Sequence, residues 1–227
     1  MSRTSRRAAL WVVAAGLLPA CGAGVYQTAR TLPPGEFRAI VAQGFVYTEL
    51  TEEQGMSQLN FEPDFAVRVG VAERVDVGFQ WFFVGGGLVD AKVNVLPLDS
   101  AFALAFRGGF GAAADVGRDA GSAWLLHVPL SVLASYTYER VTPYVSFGYG
   151  FFWIFGRSLT DPPENLVPEE RRGYGDGVLR ATGGLAIELT RRISLCLEYT
   201  YMPGVVDDPG DNYTFVDSHI VGVASTF

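Results

Sequence analysis

Residues 122–156 read SAWLLHVPLSVLASYTYERVTPYVSFGYGFFWIFG, and the fold class follows from their periodicity. Ahead of Glu139–Arg140, Trp124, Leu126, Val128, Leu130, Val132, Ala134, Tyr136 and Tyr138 share one parity. His127, Pro129, Ser131, Ser135 and Thr137 share the other with Leu125 and Leu133. Beyond the turn, Val141, Val145, Phe147, Tyr149, Phe151, Trp153 and Phe155 alternate with Thr142, Tyr144, Ser146, Gly148 and Gly150. A period of two means strand, not helix. Each run is far longer than the ordinary strand of about 5–6 residues. One face of the hairpin is aromatic and branched throughout, and either protein or lipid must cover it. Pro129 brings no N–H to mid-strand, which predicts a bulge there.

The same alternation recurs on both sides of this hairpin. Strands are expected near 36–49, 59–72, 75–84, 88–96 and 101–113, then the hairpin, then 177–189, 193–202 and 214–227. The first is the least regular, because Ile40 and Gln43 fall on the wrong sides. The count is ten, with eight or twelve as the alternatives. Connections at 73–74, 97–100, 139–140 and 191–192 are short, whereas those at 50–58, 114–121, 157–176 and 203–213 are longer. Only the glycine turn at 85–87 breaks that alternation.

Composition agrees with a lipid-covered chain. Hydrophobic residues make up 49% of the 227 and charged residues only 18%, against roughly 25% in soluble domains. No apolar run outside the N-terminus is long enough for a spanning helix. The N-terminus is laid out as an export signal over 1–20, with Arg3, Arg6 and Arg7 ahead of the short apolar run Ala8–Leu18. The following Leu18-Pro19-Ala20-Cys21 resembles the bacterial lipobox, which implies lipidation of Cys21, although Pro19 is unusual in that box. An ordinary cut after Ala20 or Ala23 is the alternative. Residues 21–34 then read as a linker from the lipid anchor, and 35–227 as the barrel domain. Without the leader arginines, 14 basic residues face 24 acidic ones, a net charge of about −10. That excludes nucleic acid as a partner, since phosphate binding needs a basic face. With lipid on Cys21, Cys196 has no disulfide partner, and the cysteine spacing suggests no metal site. No cofactor is expected.

Volume decides which face points inward. The polar face is rich in glycine, as at Gly109, Gly111, Gly148, Gly150 and Gly184, and small residues suit a crowded interior. A solvated exterior of this area would carry many lysines, and the chain has one, Lys92. A lipocalin-like barrel, bulky face inward around a hydrophobic ligand, is the soluble alternative. Aromatic residues also cluster at strand ends, with Trp81, Phe82, Phe83 and Phe151–Phe155 at one rim and Tyr136, Tyr138 and Phe227 at the other. Lipid interfaces favour such girdles.

The repeated strand–polar turn–strand units GVAERVDVGF, YERVTPYVSFGYG and ELTRRISLCLEY, with the terminal SHIVGVASTF, resemble bacterial outer-membrane β-barrel proteins over about residues 35–227. The resemblance implies an all-β, closed antiparallel transmembrane β-barrel in the bacterial outer membrane. It implies outer-membrane lipid as a partner, and the barrel-assembly machinery as reader of the C-terminal strand ending at Phe227. Short turns would face the periplasm and long loops the exterior. It leaves activity open, because such barrels serve as pores, adhesins, proteases and lipid-modifying enzymes.

Candidate chemistry therefore lies on the inward face. Arg68, Asp76, Asp90, Lys92, Arg107, Arg180, Glu188 and Glu198 are the expected lumen charges, with Asp64, Gln80 and Asn94 beside them. In a narrow lumen they must pair, because an unpaired buried charge is very costly. The expected function is a largely plugged outer-membrane barrel with a structural or interaction role, or a narrow solute passage. A lipid-modifying or proteolytic enzyme using a histidine is the alternative. His127 shares the inward parity with Ser131, but Ser218 and His219 have opposite parity and point apart. No catalytic motif is recognisable. The charged, proline-containing loop 157–176 is the expected place for an extracellular ligand.

Overall fold

A computed structural model describes residues 26–50, 58–82, 86–114, 123–156, 174–190, 193–203 and 215–227. The leader, Cys21 and nearly all of loop 157–176 lie outside the described residues.

Ten antiparallel strands close into one barrel. They are β1 (Phe37–Leu50), β2 (Gln58–Ala72), β3 (Val75–Phe82), β4 (Gly86–Asn94), β5 (Phe102–Ala114), β6 (Ala123–Tyr136), β7 (Val141–Gly156), β8 (Tyr174–Glu188), β9 (Ser194–Met202) and β10 (Phe215–Thr226). Every strand pairs with its sequence neighbours, and β1 pairs with β10 to close the ring. Closure leaves no unpaired sheet edge, which a membrane requires. Phe227 finishes it: its N–H donates to Ala39 O, and Ala39 N–H donates back.

The parity reading holds strand by strand. Phe65, Trp81, Phe106, Phe147, Leu179 and Val221 point out and are exposed. Asp64, Arg68, Asp76, Gln80, Asp90, Lys92, Asn94, Arg107 and Glu198 point in and are buried. Soluble monomers rarely expose apolar patches beyond a few hundred Å², and here the apolar belt runs around the barrel. On β7, Tyr149 meets Phe151 edge-on and Phe151 stacks on Trp153 along the outer face. Phe152, between them, turns inward and is buried, so the girdle at that rim is made by alternate residues.

Two expectations are corrected. Pro129 makes no bulge: β6 keeps one register against β7, with Pro129 opposite Gly150. Against β5 the ladder skips the two positions between the Gly108–Leu130 and Gly111–His127 pairs without gaining a residue. The missing N–H thus interrupts hydrogen bonding locally and leaves the register alone. Shifts occur instead at Thr48/Leu50 and Gly70/Ala72.

The second correction concerns the stretch read as a linker. Residues 26–32 lie inside the barrel, with Pro33 and Pro34 exposed at its rim. Tyr26, Gln27, Ala29 and Leu32 are buried, and Ala29 is wholly inaccessible. The segment enters at the short-turn end, where Pro34 bridges Gly70, and Gly35 turns the chain into β1. Gly35 has φ +81°, a left-handed conformation that glycine adopts without strain. This segment also explains the irregular parity of β1. Ile40 faces inward because Tyr26 covers it, together with Ala42, Cys196 and Ala224.

Candidate functional site

The lumen is organised by a chain of charges on β2–β5. Arg68 sits opposite Gly78, with Asp76 two residues away on β3 and Asp90 opposite Gly78 on β4. Diagonal neighbours are within reach of long side chains. Arg68 donates to Asp76 Oδ1 through Nε (2.9 Å) and Nη2 (2.5 Å), and its Nη1 lies 2.6 Å from Asp90 Oδ1. Glycine at 78 makes room: a Cβ there would stand 2.5 Å from Arg68 Nη1. Arg107 Nη2 donates to Asp90 Oδ2 at 2.8 Å, and Lys92 Nζ lies 3.3 Å from Asp76 Oδ2. The sequence Lys92–Asp76–Arg68–Asp90–Arg107 therefore alternates in sign and carries one surplus positive charge. All five side chains are buried, where such pairs are screened little.

The opposite wall is built mainly of hydroxyls. Tyr144 Oη donates to Glu198 Oε2 at 2.7 Å, Thr182 and Thr200 share a 2.9 Å hydrogen bond, and Thr200 Oγ1 reaches Glu198 Oε1 at 3.3 Å. Arg180 stands in the field of Glu198, Asp64 and Arg107. Tyr144 escaped the sequence reading because it was grouped with the small face; an aromatic among glycines was the available signal.

Residues 26–34 connect the two walls. Tyr26 N–H donates to Glu198 Oε2 (2.6 Å), Ala29 N–H to Ser135 Oγ (3.2 Å) and Leu32 N–H to Asp76 Oδ2 (3.2 Å). In the other direction Lys92 Nζ donates to Thr28 O (3.0 Å) and Arg30 O (2.8 Å). The surplus cation of the charge chain is thus met by backbone carbonyls of this segment. Arg30 donates to Thr137 Oγ1, Leu98 O and Ser100 O at the short-turn rim. Tyr26 has φ +42°, which is uncommon for a bulky residue. Its ring lies over Gly222, where a Cβ would collide with it. Beside Tyr26 and Gln27 a cavity of about 10 Å³ reaches Asp64, Gln80 and Arg107. A larger one, about 240 Å³, lies between the segment and the rim residues Glu139, Arg140 and Glu188.

No protein-family model and no curated protein matches the chain. Solved structures do. The outer-membrane protease OmpT from Escherichia coli is similar with a TM-score of 0.50 at 10% identity, covering 88% of this chain and 99% of that one. The translocator domain of autotransporter NalP from Neisseria meningitidis gives 0.46 at 12% identity, over 99% and 96%. Neisserial surface protein A gives 0.41 at 11% identity, over 84% and 95%. This is the fold of a bacterial outer-membrane β-barrel.

In such a barrel fold the short turns gather at one end, and residues 26–34 enter there. Glu188 lies at that rim, exposed and lining the larger cavity rather than joining the buried chain. His127 faces the lumen, half-buried and opposite Gly111 and Phe152. Its Nδ1 has no hydrogen-bond partner, and no Ser or carboxylate bonds its ring among the described residues. His219 takes the outward parity. Its Nδ1 shares a 2.6 Å hydrogen bond with Tyr199 Oη, and its ring stands 5.4 Å from that of Tyr201, a girdle-like cluster rather than a catalytic one.

Proposed function

We propose that this chain is an integral outer-membrane barrel with a closed polar lumen. Its role is then structural or interactive, and any solute passage is narrow. One observation carries this reading: paired charges and the inserted segment 26–34 together occupy the interior at the level of Lys92, Asp76 and Glu198. Wide general porins use 16–18 strands, and ten strands enclose far less. In planar bilayers the purified full-length protein should show no steady conductance; discrete, long-lived open steps would overturn the reading.

The remaining assignments extend it. The apolar belt meets outer-membrane lipid, and the C-terminal strand ending at Phe227 is offered to the assembly machinery. Loop 157–176 is the place for an extracellular ligand. Cys21 carries lipid after export; palmitate labelling lost in Cys21→Ala would support this, and labelling retained there would refute it. We assign no catalysis to His127, because a hydroxyl nucleophile needs an adjacent base and none of the described hydroxyls bonds it. A hydrophobic-ligand carrier is disfavoured because the bulky apolar face points outward.

A further inference from the structure

The barrel wall holds residues 26–34 through their backbone inside the lumen and through the Arg30 side chain at the rim. Side chains of Glu198, Ser135 and Asp76 accept from the N–H groups of Tyr26, Ala29 and Leu32, while Lys92 donates to the carbonyls of Thr28 and Arg30. Recognition of extended peptides elsewhere works this way: main-chain hydrogen bonds supply affinity and small pockets supply specificity. The pockets are present. Ala29 packs wholly buried against Ala103, Ala105 and Leu133, and Tyr26 packs against Ile40, Ala42, Cys196 and Ala224. The segment is part of no strand, and its one backbone bridge to the sheet is Pro34 to Gly70, beside the hydrogen bonds of Arg30 to the rim. It can leave without breaking any strand pairing. The 240 Å³ cavity beside it, reaching Thr142, Ser194 and Cys196 on the far wall, gives it room to move.

We propose that the periplasmic half of the lumen is a binding site for an extended polypeptide segment, and that residues 26–34 fill it as a displaceable stopper. Withdrawal leaves Lys92 with Asp76 alone and strips Glu198 of a backbone donor, so both become lining groups of an opened polar passage. This rests on the closed-lumen reading.

The test uses full-length protein in planar bilayers and in vesicles, wild type against Ala29→Trp. The bulky side chain cannot enter the pocket at Ala29, and the barrel wall is untouched. Heat-modifiable migration on a gel verifies folding. Trypsin cleavage after Arg30, read by mass spectrometry, reports release of the segment. The expected result is a silent, protected wild type. Ala29→Trp should be cleaved about tenfold faster or more, since proteolysis follows the population of the open form. It should also conduct in discrete steps that a synthetic peptide of residues 26–34, added on the periplasmic side, suppresses. A folded Ala29→Trp that stays protected would overturn the site. Cleavage without conductance would overturn the stopper and leave the closed lumen standing. Conductance that the peptide does not suppress even at about millimolar concentration would overturn the peptide site. A conducting wild type would overturn the closed-lumen reading itself. Should Ala29→Trp fail to fold, Tyr26→Gly with Leu32→Gly removes the anchoring side chains without added bulk and is read the same way.

Discussion

The two walls of the lumen solve the same problem differently. On β2–β5 the interior wall carries full charges, with Asp76 and Asp90 each serving two cations. On β7–β9 it is filled mostly by hydroxyls in short pairwise contacts around Glu198. A charge wall is intolerant, because removing one member strands another in a low-dielectric interior. A hydroxyl wall loses one modest bond at a time.

Mutations at either wall can break or sharpen that contrast. The largest effect belongs to Asp90→Leu, which leaves Arg107 without its carboxylate; breaking a buried pair this way costs about 3–5 kcal/mol. Urea unfolding in lipid vesicles measures it, and a loss no greater than that at Thr182 would erase the distinction between the walls. Arg68→Met should cost less, about 1.5–3 kcal/mol for its charged hydrogen bonds. It leaves Lys92–Asp76 and Arg107–Asp90 as two balanced pairs, so the same unfolding series should rank it below Asp90→Leu. Thr182→Val on the hydroxyl wall should cost about 1 kcal/mol, since Thr200 still reaches Glu198. Smallest is Tyr199→Phe on the lipid-facing surface, expected within about 0.5 kcal/mol; a larger loss would mean that the contact with His219 is structural.

The barrel was legible in the sequence because its signal is local. A strict period of two over β7 needs only its own sixteen residues, and the two-residue turns at 73–74 and 139–140 mark where the strands beside them reverse. The inward charges followed from the same parity, and Arg68, Asp76, Asp90, Lys92 and Arg107 do meet. What escaped was carried by distant contacts. Tyr26 bonds Glu198 across 172 residues and Ala29 bonds Ser135 across 106. A backbone-held segment has no periodicity to betray it, so residues 21–34 read as a spacer. The one local trace was Ile40, an apolar residue on the polar parity of β1, which only makes sense with a ring laid against it. Pro129 misled for the opposite reason: a local rule about lost hydrogen bonds was overridden by fourteen residues of β6 held in register by its neighbours.

Gly35 joins the inserted segment directly to the first strand, which turns occupancy into a question of tethering. A ligand on so short a leash is present at an effective concentration of the order of millimolar whatever the amount of protein. Contacts too weak to retain a free peptide at micromolar concentration would still keep this site filled. Dilution cannot empty it, and an outside competitor would need roughly millimolar abundance or far better contacts. Lengthening the leash at Gly35 would therefore lower occupancy while leaving every contact inside the barrel intact.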